Sequence, residues 1–178
     1  MIKTDLFFID YLVLEDAASL SEMMLCNHDN FKRYFPITLS KNKSIEDSLK
    51  FIKEKNIECH AKTEFTFVIK DKQLSKAVGI IIIKEINWEI KQGEFAYCIS
   101  SEFENKGWMS NAIALTSKYA FEVLGFNKLQ IIAHRTNFGS CKVAEKCGFQ
   151  WQKTLINEYT PPNESPLDME LYELYNER

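Results

Sequence analysis

The chain has no CxxC pair, no apolar run long enough to cross a bilayer, no cationic excess and no low-complexity segment. Each absence removes a class of function. Cys26, Cys59, Cys98, Cys141 and Cys147 are odd in number and scattered, so reduced thiols are expected rather than a metal site or a disulfide framework. The longest aliphatic stretch, "VGIIIIKEI" from Val78, falls far short of the ~20 residues that a spanning helix needs. A net charge of -3 and a pI near 5.7 leave no global basic field to draw in nucleic acid or an anionic membrane. The start carries acids at Asp5 and Asp10 and no small-residue cleavage site, which argues against a signal peptide and for a cytoplasmic protein. What is present is globular: 46% hydrophobic and 26% charged over 178 residues, enough for one domain, 1–178, with its own core.

Hydrophobic periodicity supplies the elements. "LFFIDYLV" reads as a first strand, and Glu15–Cys26 as a helix with Leu20, Met23 and Met24 on one side. "NHDNFKRYFP" reads as a helical turn and loop halted by Pro36. Ser44 caps a helix that carries Ile45, Leu49 and Ile52. "EFTFVIKD" and "KAVGIIIIKEI" form a hairpin around "DKQLS". Next come the strand "GEFAYCIS" and a helix from Gly107 to Leu124, whose positions Met109, Ile113, Ala120 and Val123 repeat at the helical period and which Gly125 ends. "KLQIIAHR" is a strand, "NFGSCKVAEKCGF" a helix, and "WQKTLINEY" with "LDMELYEL" a closing antiparallel pair.

The stretch "ENKGWMS" stands between a strand and a helix. The first amides of a helix have no intrahelical partner and carry partial positive charge, and a glycine lets a ligand come close to the backbone. Gly107 with Lys106 therefore suits a diphosphate. The familiar nucleotide loops do not match: GxxxxGK[ST] is absent, and GxGxxG fails for want of glycines. A plain strand-to-helix connection explains the loop equally well when it is taken alone.

Three further motifs stand in order around it. "AYCIS", Glu104–Met109, "YAFEVLGFNKL" and Asn137–Phe149 resemble the core motifs of the GNAT superfamily of N-acetyltransferases, and within it the RimJ/RimL-like ribosomal-protein branch. The likeness spans most of the chain, and the first forty or so residues follow it only in element order. It implies an α/β (α+β) GNAT fold: a mixed, mostly antiparallel sheet of about seven strands with a splayed parallel pair, flanked by about four helices. It also implies acetyl-CoA as co-substrate, with no metal. Pantetheine would pair with Tyr97, Cys98 and Ile99, opposite Leu129–His134. The diphosphate would meet Asn105, Lys106, Gly107, Trp108, Met109 and Ser110, and Asn137 and Ser140 would line the same cofactor. Glu104 replaces the usual Gln or Arg of the loop, and Met109 replaces a small residue.

The resemblance assigns Glu158 as general base and Ser140 as the acid that reprotonates the departing thiolate. Both have plainer readings, Ser140 as a helix cap and Glu158 as an ordinary strand charge. Glu94 is a second candidate base on the same sheet, and Tyr97 an alternative proton donor or a core residue. His134 reads as structural, and Cys98 and Cys141 as small thiols near the thioester. The acceptor site is expected in Asn27–Pro36, in the Ser44–Ala61 helix and in "TPPNESP". Its ligand would be an amine, either a protein N-terminus or a small cation such as a polyamine or an aminoglycoside-like drug. A cradle that binds acetyl-CoA without turnover is the alternative class. Oligomeric state is left open, with a homodimer among the options.

Overall fold

The computed structural model describes residues 1–176, so the last two positions of the expected 1–178 domain lie outside it. Eight strands form one sheet: β1 (Ile2–Lys3), β2 (Phe7–Tyr11), β3 (Phe65–Asp71), β4 (Ala77–Asn87), β5 (Gln92–Ile99), β6 (Lys128–Ala133), β7 (Gln150–Tyr159) and β8 (Leu167–Tyr175). Hydrogen-bonded neighbours follow the order β1-β2-β3-β4-β5-β6-β8-β7. The β5–β6 pair is parallel, with register from Gln92↔Lys128 to Phe95↔Ile131. The helices are α1 (Ala17–Cys26), α2 (His28–Phe31), α3 (Pro36–Ser40), α4 (Ile45–Ala61), α5 (Trp108–Tyr119) and α6 (Phe138–Lys146). The mixed α/β architecture is the expected one. The two-residue β1 and the one-turn helices α2 and α3 raise the counts to eight strands and six helices, because elements this short carry no period to detect.

The chain groups into two compact units, one of Met1–Ile82 with Tyr97–Glu104, the other of Ile83–Ala96 with the chain from Asn105 on. In the first unit, β2 pairs with β3 antiparallel from Phe7↔Asp71 to Tyr11↔Phe67. Phe7, Ile9, Leu20, Met24, Phe51, Ile52, Val68, Ile69, Ile80 and Ile81 are its fully buried core. Ser44 Oγ accepts the Asp47 amide at 3.1 Å, so the expected cap of α4 is in place. Gly79 is required by closeness: a Cβ there would stand 2.9 Å from the Cys98 carbonyl oxygen and 3.2 Å from Ile69 Cδ1. The Ser100 amide donates to the Val78 carbonyl at 2.8 Å beside it.

In the second unit, Phe95, Ile113, Phe126, Leu129, Ile131, Ala144 and Phe149 form the core. Phe95 meets Phe149 edge to face at 6.2 Å, and Trp88 stacks on Phe126 at 4.9 Å. Met109, Ile113 and Ala120 are buried as the period requires, but Val123 is 63% exposed. The cause is local. Residues Ala120–Leu124 form a π turn, which takes one residue more than an α turn and rotates Val123 away from the core stripe. Gly125, at φ 86°, ends the helix as expected.

Candidate active site

The glycine turn has the backbone that the sequence requires. Gly107 occupies the left-handed region at φ 77° and stands as N-cap of α5, with no side-chain cap. Asn105, two residues earlier, is also left-handed at φ 58°. A Cβ built on Gly107 would meet nothing within 4 Å, so the backbone faces open space. The Asn111 amide donates to the Gly107 carbonyl at 3.0 Å and makes the first turn of α5, which leaves Trp108, Met109 and Ser110 in the stretch whose amides have no intrahelical acceptor. Trp108 and Met109 bury their side chains in the core, which explains how a bulky methionine fits where a small residue is usual. Glu104 is exposed.

The turn into α6 is self-tied. Asn137 Oδ1 accepts the Ser140 amide at 3.2 Å, the Asn137 amide donates to the His134 carbonyl at 2.7 Å, and His134 Nδ1 lies 2.7 Å from Thr136 Oγ1. Asn137 is thus the cap, and half-buried Ser140 stands in the first turn. His134 is tied into this turn through Thr136. Tyr97 is half-buried. Cys98 is buried beside β4, where burial pushes its thiol up to about 12, so it is no nucleophile at neutral pH. Cys141 Sγ donates to the His134 carbonyl at 3.7 Å and pairs with Tyr172, whose hydroxyl burial pushes up to about 12.

The carboxylates divide by environment. Glu158 is exposed, one residue after Asn157, which is left-handed at φ 54°. The β7–β8 register is irregular between Leu155 and Tyr159, and Asp168 Oδ1 pins the bulge by accepting the Asn157 amide at 2.9 Å. Glu94, on β5 opposite Gln130, has a side chain only 14% exposed. Burial raises its pKa; Lys84, 2.7 Å away, opposes the rise, and the charges of Glu85 and Glu158 add to it. Glu85 is a third bend, left-handed at φ 48° within β4. Non-glycine residues held in that region carry strain, and two such positions border this acidic group.

Sequence reasoning did not single out Lys84, Glu85 or the buried Glu173. Glu173 is held by Lys128 Nζ at 2.9 Å, by Gln130 Nε2 at 2.6 Å and by the Tyr175 hydroxyl. The available signal was the sudden "KE" that closes the apolar run of β4. In the expected acceptor segment, Asn27 and Phe31 face inward and are buried, whereas Arg33, Tyr34 and Phe35 are half-exposed, with Arg33 Nη1 donating to the Tyr34 hydroxyl at 3.1 Å. Among the described residues, no three His, Cys, Asp or Glu side chains stand together as a metal site, and no helix is long and apolar enough to cross a membrane.

Known proteins carry the same pattern. A spermidine N(1)-acetyltransferase of Escherichia coli (strain K12) is 30% identical over 100 residues, which cover 56% of this chain and 53% of that protein. The chain therefore spans about half the length of that relative. The crystal structure of a ribosomal-protein-S5-alanine acetyltransferase from Vibrio fischeri superposes with a TM-score of 0.91 at 19% identity, over 99% of this chain and 96% of that one. The microcin C7 self-immunity acetyltransferase MccE, solved with acetyl-CoA and AMP, gives 0.85 at 23% identity, over 97% and 94%. These likenesses establish the fold. The model of the acetyltransferase (GNAT) domain matches residues 7–150, and with the glycine turn, the parallel pair and the capped α6 in their expected places, the chain belongs to the GNAT acetyltransferase family.

Proposed function

We propose that this chain is an acetyl-CoA-dependent N-acetyltransferase that acylates a primary amine, with Glu94 as general base. The observation that carries the reading is the enclosure of Glu94. A carboxylate that is largely shielded from water and has a raised pKa is better matched to taking a proton from an ammonium near neutrality than one in open solvent. Glu158, the base expected from the sequence, is exposed and acts in this reading as the outer carboxylate of the pair.

The chain's residues fit the cofactor. Open space over a left-handed Gly107, at the start of a twelve-residue helix, suits a diphosphate held by the amides from Asn105 to Ser110, with Lys106 adding charge. By the family resemblance, Tyr97, Cys98 and Ile99 would offer main-chain groups to the pantetheine arm. Asn137 serves through the turn that it caps, and Ser140 stands in that turn. Bound acetyl-CoA would supply the activated acetyl thioester. Glu94 would accept the ammonium proton, a main-chain N–H of β5 would stabilise charge on the carbonyl oxygen, and the Ser140 hydroxyl would return a proton to the departing sulfur.

The acceptor is cationic in this reading, because Glu85, Glu94 and Glu158 outnumber Lys84 around the base. A protein N-terminal α-amine is the expectation from the ribosomal-protein likeness. A polyamine is the second reading, favoured by this acidic excess and by the activity named for the Escherichia coli relative.

The test is release of coenzyme A thiol with an alanine-starting peptide, spermidine and an aminoglycoside as acceptors, for wild type, Glu94→Gln and Glu158→Gln. Loss of a general base lowers kcat by about 10²- to 10⁴-fold, and this is expected for Glu94→Gln with acetyl-CoA binding retained. Glu158→Gln is expected to raise KM for the acceptor more than it lowers kcat. Full turnover by Glu94→Gln would return the base role to Glu158.

A further inference from the structure

The carboxylate assigned as base is paired with a lysine. Lys84 Nζ lies 2.7 Å from Glu94 Oε1. β4 is buried from Ala77 to Ile83 and becomes half-exposed at Lys84, directly before the left-handed Glu85. We propose that Lys84 is a positioning residue for the base: its ammonium keeps Glu94 ionised and fixes one carboxylate oxygen, leaving the other to meet the acceptor. The proposal rests on the reading of Glu94 as base.

The surrounding charges give Lys84 this task. Glu85 on β4 and Glu158 on β7 both repel a proton-free Glu94, and burial works in the same direction. From β6, the residue opposite is neutral Gln130, and Lys128 on that strand is committed to Glu173 at 2.9 Å. Lys84 is therefore the cation that offsets two like charges and the loss of water. Without it, a carboxyl in this place keeps its proton to higher pH and cannot act as a base until then. The lysine side chain is itself 37% exposed, so it keeps contact with water and can shift as an incoming ammonium takes its share of the carboxylate.

The experiment titrates the Glu94 carboxyl by ¹³C NMR in wild type, Lys84→Met and Lys84→Arg, and records kcat/KM against pH with spermidine and with an alanine-starting peptide. In Lys84→Met the Glu94 titration is expected to move to higher pH. On the acid side of the wild-type Glu94 midpoint kcat/KM is expected to fall about tenfold, one pKa unit being the smaller end of what an adjacent opposite charge supplies, and to recover as pH rises. Lys84→Arg is expected to restore the wild-type titration. An unmoved Glu94 titration in a folded Lys84→Met overturns the proposal, as does a rate loss that is equal at every pH. The base reading is judged separately: an acid limb that survives in Glu94→Gln overturns that reading, while the NMR titration still reports on the ion pair.

Discussion

At the scale of single residues, Glu94, the proposed base, links that role to stability with a definite sign. Burial raises its pKa above the ordinary 4.5, so the folded state favours the protonated form. Such a group contributes stability that is fully present below its unfolded pKa and is lost as pH rises through its folded pKa. Glu94→Gln, which keeps the shape without the charge, is thus expected to raise Tm at neutral pH, with the gain vanishing below about pH 4, as scanning calorimetry at several pH values would read. Lys84 left alone stays partly hydrated, so the lost ion pair offsets little of that gain. A more stable protein that no longer turns over is the mark of a site that sacrifices stability for chemistry. At this scale the sequence was only partly legible. It named Gly107, Asn137 and both carboxylates as candidates, with Glu158 before Glu94. Burial, which distinguishes the two, is set here by what packs around each strand, and a single acidic residue does not announce it.

At the scale of elements, two anchors hold the stretch of β5 that runs toward the glycine turn. Asn27, buried where α1 gives way to α2, donates to the Met23 carbonyl at 2.8 Å and to Ser100 Oγ at 3.2 Å, and accepts the Ser101 amide at 2.8 Å. Asn27→Ala orphans buried groups that each cost about 1–3 kcal/mol, so a loss of unfolding free energy of that order is expected from urea titration, together with a higher KM for acetyl-CoA. Gly79→Ala drives a Cβ toward the Cys98 carbonyl, a backbone atom with little room to yield; a loss of about 1–3 kcal/mol is expected from the same measurement. Gly107→Val differs from both. Open space surrounds the site, but a β-branched residue at φ 77° is strained, and its side chain would occupy the proposed diphosphate position. Calorimetric titration with acetyl-CoA should find binding abolished in a folded variant. Long periodic elements were legible in the sequence, because their side chains repeat the pattern of what they bury. The π turn was not: its period differs from that of the helix it extends for only a few residues.

At the scale of the whole molecule, order of elements and family were legible, and the division of the chain was not. β4 and β5 each give residues to both compact units, so neither unit is a continuous segment. Trp88, Trp108 and Trp151 all belong to the second unit, whereas backbone circular dichroism reports on both. Because two strands are common property, urea transitions followed by tryptophan fluorescence and by circular dichroism are expected to coincide; separated midpoints would mean that the units unfold apart. The same interleaving bears on biosynthesis. A nascent chain that has emerged only as far as Ile82 still lacks the residues near Ser100 to which Asn27 bonds, and the first half of β5 must wait for β6, more than thirty positions later, to find its parallel neighbour. Completion of the amino-terminal unit therefore waits for translation through Glu104, past the first segment of its companion, and a ribosome stalled before that point would display an unfinished sheet to chaperones rather than a ready-made half.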